Sequence, residues 1–249
     1  MNWELDMNWD QILNPSVGFE QTSAELIHQS SPHTELVPEQ NQSQRMSVSD
    51  YLVAFTTQSH SYCVGCVDMV NSTKISASLS SDKLSLYYET FLNSMAKIVG
   101  NFNGKVIKNI GDCLLYYFPL SENCSDLDKV SNCLDCGITM INVQQMISKE
   151  LVSNGLPSLS YRVSADYGNV VIMNTNNSKE IDMIGPPINM CSRINHSAKS
   201  NEFVIGGDFY EVVKKLQKYK FKQVKEYDIG FKLGYPVYKI QSKQSPYGF

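Results

Sequence analysis

The chain has 249 residues and a formal net charge of −4, and 42% of its residues are hydrophobic. This composition is sufficient for one large packed domain. No segment approaches the roughly 18 consecutive apolar residues of a membrane-spanning helix, and the first ten residues lack the basic start and apolar run of a signal peptide. We therefore expect neither an integral membrane protein nor a secreted one.

Charge divides the chain into two parts. Residues 1–50 contain eight acidic side chains against one basic one, whereas the remainder contains 20 basic and 17 acidic side chains. The first part is rich in Gln, Ser, Asn, Pro and Glu, a composition that buries too little apolar surface to fold alone. We predict a largely disordered acidic leader over 1–50, a folded body over 51–241 and a short tail over 242–249. The mildly basic body suits an anionic ligand better than nucleic acid.

The leader begins with a short repeat that contains both tryptophans, Trp3 and Trp9. Two interpretations stay open: a docking helix for a regulatory partner, with the tryptophans as anchors, or a disordered acidic segment, which we favour. If the leader is a regulatory or docking arm, deleting residues 1–45 should change activity or partner binding but leave the fold intact.

Apolar periodicity predicts alternating strands and helices along the body. In chain order these are a strand over 62–70, a helix over 82–99, a hairpin of strands 105–110 and 113–118, a helix over 126–151, a hairpin of strands 159–165 and 169–173, a helix over 187–198, a strand over 203–205, a helix over 208–216 and strands over 221–227 and 235–241. This order predicts an α+β fold on the ferredoxin-like split βαβ plan, with an α/β extension at its C-terminal end.

The chain contains seven cysteines, an odd number for a set of disulfides, so we expect reduced thiols and a cytoplasmic protein. Cys63 and Cys66, with Cys133 and Cys136, imitate the spacing of four zinc ligands. On a strand, however, residues i and i+3 point to opposite faces of the sheet. The helical pair has the character of small core residues. We therefore do not expect a zinc centre.

Two acidic residues lie at the ends of predicted strands, where functional side chains are often found. Asp68 lies near the end of the first strand, and Asp112 lies at the turn of the first hairpin. In the split βαβ plan the first strand lies beside that hairpin, so both acids emerge at the same edge of the sheet. An acid at the end of one strand is usually a turn residue, but two together can bind Mg²⁺ or Mn²⁺, which also bind phosphate oxygens.

Four segments of the body resemble motifs of the class III nucleotidyl cyclases. Residues 66–73 (CVDMVNST) resemble the F-x-D-I-x-G-F-T segment of that family, and residues 108–112 (KNIGD) resemble its K-T-I-G-D hairpin. Residues 162–168 (RVSADYG) are similar to R-I-G-I-H-x-G, and residues 182–194 match D-x-x-G-x-x-V-N-x-A-x-R-L. Each segment alone is common, but all four occur in the family's order and at similar separations.

The resemblance implies an adenylate cyclase that converts ATP to 3′,5′-cyclic AMP and pyrophosphate in intracellular signalling. Asp68 and Asp112 would hold two Mg²⁺ or Mn²⁺ ions that activate the ribose 3′-hydroxyl and bind the triphosphate. The backbone at Met69 and Val70 would help to bind phosphate oxygens. Lys232 falls near a family lysine that contacts the terminal phosphates, although the loop register there is loose.

The same resemblance assigns the base, the ribose and the reacting phosphorus. Lys108 and Asp182 occupy the purine-recognition positions of adenylate-type members, where Lys donates to N1 of adenine and Asp accepts from its amine. Asn189 would orient the ribose, and Arg193 would stabilise charge on the phosphorus. Asn189 and Arg193 are four residues apart, so a helix places them on one face. Arg193 is one of only three arginines, and its planar guanidinium suits phosphate.

The family resemblance also implies a head-to-tail homodimer with shared active sites. One chain would contribute Asp68 and Asp112. The other chain would contribute the remaining site residues, Lys108, Asp182, Asn189 and Arg193. Two alternatives stay open: a cyclase of another base, either GTP or a pyrimidine nucleotide, and a non-catalytic module that senses ATP through the same pocket.

Three residues depart from the family pattern. Asn71 replaces a glycine after the first carboxylate, Ser72 replaces an aromatic residue, and Asp166 stands where many members have histidine. A side chain at position 71 narrows the backbone freedom beside the phosphates, although Asn is the non-glycine residue best suited to unusual dihedral angles. We expect these changes to affect the turnover rate more than the type of reaction.

Overall fold

The structure is a computed structural model, and it describes residues 53–119, 126–175, 182–228 and 234–242. The predicted leader and nearly all of the predicted tail lie outside these residues, so their boundaries stay predictions. The helices and strands are, in chain order, β1 (Val53–Met69), α1 (Ser72–Ser78), α2 (Ser81–Asn101), β2 (Lys105–Ile110), β3 (Cys113–Phe118), α3 (Asp126–Ser153), β4 (Tyr161–Thr175), β5 (Asp182–Ile184), α4 (Pro186–Asn195), β6 (Phe203–Gly206), α5 (Gly207–Val213), β7 (Tyr219–Tyr227) and β8 (Tyr235–Ser242).

The strands form one eight-stranded sheet in the order β2-β3-β1-β4-β6-β8-β7, with β5 paired to β4. Strands β2, β3, β1 and β4 are mutually antiparallel neighbours, which is the strand order of the ferredoxin-like split βαβ plan. Strand β6 joins β4 in parallel, and β8 and β7 continue the sheet in antiparallel fashion. The predicted fold class and its C-terminal extension are therefore confirmed.

Two helices and the sheet enclose the largest core. Apolar side chains of α2 and α3, such as Phe91 and Met140, pack against one face of β1 and β3. A smaller cluster around Cys66 and Cys191 lies on the other face, where α4 packs. Cys63 belongs to the first cluster and Cys66 to the second, so the two thiols occupy opposite faces of the strand as predicted. None of the helices in the described part of the chain is long and apolar enough to span a membrane.

One predicted hairpin is wrong. The segment expected to turn near Tyr167 and Gly168 is a single continuous strand, β4. It is paired along its length with β1, which is itself much longer than predicted, and Tyr62 lies opposite Gly168. The glycine lies beside Pro187 of α4 instead of forming a turn. The chain returns only later, through β5, whose three residues pair with Val171–Met173.

The helix α1 follows β1 directly and was not predicted. Asn71 precedes it with φ of 62° and ψ of 25°, in the left-handed region, where Asn is among the few tolerated non-glycine residues. Asn71 therefore adopts a backbone conformation that glycine also accepts without strain.

Candidate active site

The two predicted metal ligands lie side by side. Asp68 of β1 is opposite Cys113 of β3 in the strand register. Asp112 precedes Cys113 in the two-residue turn that joins β2 to β3, in which Gly111 has φ of 62°. The amide of Met69 donates a hydrogen bond to the carbonyl of Asp112 at 3.4 Å. The predicted hairpin thus brings both carboxylates to one end of the sheet.

The electrostatic environment of Asp68 suits a divalent cation. Burial and the nearby charge of Asp112 raise the pKa of Asp68 to about 6, against the opposing effect of Arg162 and His196. Nη1 of Arg162 lies 4.0 Å from Oδ2 of Asp68. Two half-buried carboxylates that repel each other are stabilised by a cation with hard, oxygen-seeking character. The donor set therefore fits Mg²⁺ or Mn²⁺.

Protein ligands alone do not complete such a site. Among the described residues, no group of three or more His, Cys, Asp or Glu side chains converges on a common point. Magnesium commonly binds through one or two carboxylates and takes its remaining ligands from water and substrate phosphates. A pair of carboxylates is therefore compatible with metal ions that bind together with a nucleotide.

The backbone after Asp68 is already hydrogen-bonded. The amide of Met69 donates to Asp112, as described above, and the amide of Val70 donates to the carbonyl of Ser160 at 2.8 Å. These bonds would have to open before either amide could bind a phosphate oxygen. The predicted role of Met69 and Val70 stays a prediction. Lys232 lies outside the described residues, so its predicted phosphate contact also stays a prediction.

Lys108 and Asp182 form an ion pair. Nζ of Lys108 lies 2.5 Å from Oδ2 of Asp182, and the two side chains are 40% and 28% exposed. The other carboxylate oxygen, Oδ1, accepts a hydrogen bond from the amide of Met183 at 2.8 Å. Strand β5 holds Asp182 on the outside of β4, within reach of β2. Two residues 74 positions apart therefore form one donor–acceptor pair that solvent can reach.

Helix α4 carries the other two predicted site residues on its exposed side. Asn189 and Arg193 are exposed, whereas Met190, Cys191 and Ile194 are buried against the sheet. The helix starts after Gly185, where a Cβ atom would lie 2.5 Å from the carbonyl oxygen of Asn169. Glycine at this position therefore lets α4 approach β4 closely.

The side chain of Arg193 is held by residues at the end of β7. Its Nη2 donates to the carbonyl of Asp228 at 3.3 Å, and its Cζ lies 5.3 Å from the centroid of the Tyr227 ring. Within the described residues, no hydrogen bond or ion pair joins Arg193 or Asn189 to Asp68 or Asp112, the two predicted metal ligands. Within one chain these two sets of side chains therefore show no direct contact, although His196, just after α4, acts electrostatically on Asp68.

Two neighbours of the predicted site were missed. Arg162 lies beside Asp68 because β1 and β4 pair in a register that places these residues opposite each other. Tyr227 lies beside Arg193 because β7 ends next to α4. Arg162 belongs to one of the four motifs, but only the strand register shows that it contacts Asp68. No sequence signal indicated Tyr227.

Residues 56–242 match the sequence model of the adenylate and guanylate cyclase catalytic domain. The chain belongs to this family. The predicted resemblance to class III cyclases is thereby confirmed, and the chain is a nucleotide cyclase catalytic domain of the lyase class. Catalytic domains of this family are typically dimeric, bind a nucleotide and use two divalent metal ions.

Solved cyclase structures share the fold. The adenylyl cyclase CyaB from P. aeruginosa superposes with a TM-score of 0.69 at 19% identity, over 77% of this chain and 98% of that one. The guanylate cyclase domain of RhGC from Catenaria anguillulae, solved with GTP, gives 0.65 at 16% identity, over 74% and 98%. Since adenylyl and guanylyl cyclases match almost equally, this similarity defines the cyclase fold and leaves the base open.

A curated relative is named for a third base. The cytidylate cyclase from Staphylococcus aureus is 24% identical over 190 residues, which are 72% of this chain and 45% of the relative. The chain therefore spans less than half the length of this curated relative. Base specificity has to be argued from the cyclase site itself.

Proposed function

We propose that this cyclase converts ATP to 3′,5′-cyclic AMP and pyrophosphate. The observation that carries the proposal is the ion pair between Lys108 and Asp182. It combines one hydrogen-bond donor and one acceptor, both reachable from solvent, at the two positions that adenylate-type relatives use for the base. The two side chains already lie together. An incoming base would therefore replace their ion pair with one hydrogen bond from Lys108 and one hydrogen bond to Asp182.

The order of donor and acceptor separates the four bases into two classes. Adenine and cytosine present an unprotonated ring nitrogen beside an amino group, whereas guanine and uracil present a ring N–H beside a carbonyl oxygen. A lysine ammonium only donates and an ionised carboxylate only accepts. Lys108 and Asp182 therefore complement the bases of ATP and CTP. With GTP or UTP, Lys108 would face a ring N–H, which is also a donor, and Asp182 would face a carbonyl oxygen, which is also an acceptor.

The remaining residues supply the chemistry of ring closure. Bound Mg²⁺ or Mn²⁺ at Asp68 and Asp112 would lower the pKa of the ribose 3′-hydroxyl and neutralise phosphate charge. The bond from O3′ to the α-phosphorus forms as the bond to pyrophosphate breaks, and the proton of the 3′-hydroxyl passes to water. Asn189 orients the ribose, and the Arg193 guanidinium binds oxygens of the α-phosphate as negative charge shifts toward the leaving group.

Because catalytic domains of this family are typically dimeric, we infer that each site is shared between two chains. The carboxylates of one protomer would meet Lys108, Asp182, Asn189 and Arg193 of its partner in a head-to-tail homodimer. Each symmetric dimer would then contain two equivalent sites.

Cytidylate cyclase is the second candidate, because a relative is named for that activity. The donor–acceptor edge of cytosine matches that of adenine, so Lys108 and Asp182 serve both bases equally well. The two candidates differ in the size of the base. The roles assigned to the other site residues are the same for both candidates.

The test is a direct assay with each nucleotide in a separate reaction. Purified protein at micromolar concentration, so that dimers form, is incubated with Mn²⁺ and ATP, CTP, GTP or UTP, and cyclic products are measured by mass spectrometry. We expect cyclic AMP from ATP and loss of product in Asp112→Ala. Cyclic CMP in place of cyclic AMP would select the second candidate.

A matched pair of variants tests base recognition. Lys108→Ala should reduce the preference for amino bases over GTP and UTP by about tenfold, because one hydrogen bond to the base is lost. Lys105→Ala removes an exposed lysine from the same strand and should leave the preference unchanged. Cyclic GMP or cyclic UMP as the main product of the unaltered protein would contradict the assigned role of the pair. Nucleotide binding without any cyclic product would indicate a sensor module.

A further inference from the structure

Tyr227, the last residue of β7, contacts α4 through its ring and its hydroxyl. The ring lies under the guanidinium of Arg193, with 5.3 Å between Cζ and the ring centroid. The hydroxyl donates to the backbone carbonyl of Arg193 at 3.4 Å and lies 2.8 Å from Oγ of Ser197. One tyrosine thus contacts the side chain of Arg193, its backbone and the residue that follows the helix by two positions.

The position of Tyr227 is itself fixed. It packs against a buried cluster whose members come from α4, the segment after it, β6 and β8, namely Met190, Ile194, Ala198, Val204, Tyr235 and Val237. Tyr227 is also paired with Tyr235 across β7 and β8. The ring is therefore partly buried and anchored on this cluster, and its face contacts the side-chain cations of both Arg193 and Lys225.

A fixed ring surface favours one orientation of the Arg193 side chain. A long exposed arginine has several rotatable bonds, and holding it in one orientation costs conformational entropy at the moment of use. A guanidinium over a tyrosine face is attracted by the ring electrons, and the carbonyl of Asp228 accepts a hydrogen bond from Nη2 at 3.3 Å. Only Nη2 donates a hydrogen bond among the described residues, so the remaining N–H groups of the guanidinium stay available to bind oxygen atoms.

We propose that Tyr227 is a positioning residue that holds the Arg193 guanidinium in the orientation used against the α-phosphate. The proposal rests on the proposed cyclase function and on the role of Arg193 within it. Tyr227 itself does not touch the nucleotide. It acts on the rate of the chemical step, because a preoriented charge needs no reorganisation as the transition state forms.

The experiment compares Tyr227→Leu with Tyr227→Phe in the nucleotide assay. We expect Tyr227→Leu to lower kcat about tenfold while KM changes less than about threefold, since orientation affects the transition state more than ground-state binding. Tyr227→Phe keeps the aromatic face and should retain most of kcat. If Tyr227→Leu fails to fold, Tyr227→Met replaces the ring with a flexible side chain that adapts to the space it leaves.

A double-mutant cycle shows whether Tyr227 acts through Arg193. Tyr227→Leu added to Arg193→Ala should cause no further loss of kcat, because the group being positioned is gone. Tyr210→Leu is the matched control. Tyr210 stacks on Tyr238 with 3.8 Å between ring centroids, so its loss perturbs the same sheet without touching Arg193, and we expect kcat to stay within about twofold.

The proposal would be overturned by a kcat for Tyr227→Phe as low as that for Tyr227→Leu, by equal fractional losses of kcat with and without Arg193, or by the same loss of kcat in Tyr210→Leu. Failure of the underlying function is distinguishable from these. If the unaltered protein forms no cyclic product from any nucleotide, the cyclase function itself fails and the proposal with it. If product forms but Arg193→Ala is fully active, the cyclase function stands and the role of Tyr227 falls.

Discussion

Asp166 is a carboxyl group that lies almost wholly inside the protein, with 1% of its surface exposed. The hydroxyl of Tyr235 donates to its Oδ2 at 2.6 Å, and the amide of Tyr167 donates to its Oδ1 at 2.9 Å. Burial nevertheless raises its pKa to about 7, because these donors only partly compensate for lost hydration. At the position where many relatives have histidine, this chain therefore also carries a group that titrates near neutral pH.

The raised pKa of Asp166 predicts a pH dependence of stability. Between about pH 4 and pH 7 the folded protein retains a proton that the unfolded chain releases, so the free energy of unfolding should fall as pH rises. We expect Asp166→Asn to reduce this fall by on the order of 3 kcal/mol, measured by urea unfolding at pH 5, 6, 7 and 8. The raised pKa of Asp68 contributes with the same sign in both proteins, so the difference between them isolates Asp166. Equal slopes would contradict the prediction.

Among the strands and helices, β1 and β3 pack closely because Gly65 of β1 has no side chain. Gly65 lies opposite Tyr116 in the strand register, and a Cβ atom at position 65 would lie 2.2 Å from Cζ of that tyrosine. Tyr116 is fully buried under α2 and α3, so its ring has no free space to enter. Strand β1, which carries Asp68 next to its last residue, is held in place partly by this close approach.

Replacing Gly65 should therefore loosen the strand that carries Asp68. We expect Gly65→Ala to lower the free energy of unfolding by about 2 kcal/mol, because an added methyl group overpacks a filled core. Gly100→Ala is the matched control, since nothing lies within 4 Å of its added Cβ atom and alanine is the better helix former, with a gain of about 0.5 kcal/mol. Thermal unfolding of the two variants compares them directly. A neutral effect of Gly65→Ala would show that Tyr116 can move.

At the scale of the whole molecule, the proposed sharing of each site between two chains predicts complementation between inactive chains. Asp68→Ala and Arg193→Ala should each be nearly inactive alone. Mixed in equal amounts, they should recover about a quarter of the unaltered activity, because half of the dimers are mixed and each of those contains one intact site. The measurement is the cyclase assay after exchange of subunits at micromolar concentration.

A second mixture controls for the pairing of defects. Asp68→Ala and Asp112→Ala damage the same half of the site, so every site in their mixed dimer lacks one carboxylate. We expect no recovery from this mixture. Recovery there, or its absence in the first mixture, would argue against a head-to-tail arrangement.

Local sequence determined much of this protein. The turn at Gly111 and Asp112 follows from a glycine that accepts positive φ, and it fixes the bounds of β2 and β3 as predicted. The helices α2 and α3 follow from apolar residues at helical spacing, and α4 begins with two prolines directly after Gly185. The spacing of Asn189 and Arg193 placed both residues on one exposed helix face. Such features depend on interactions between residues close in the chain.

Only the tertiary structure decided what these elements bring together. The predicted turn at Gly168 is absent because pairing with a long β1 outweighs local turn propensity. The contacts of Lys108 with Asp182, of Arg162 with Asp68 and of Tyr227 with Arg193 join residues 34 to 94 positions apart. They are set by strand register and by packing of the helix on the sheet. The sequence therefore determined which groups the protein carries, whereas the fold decided which of them meet.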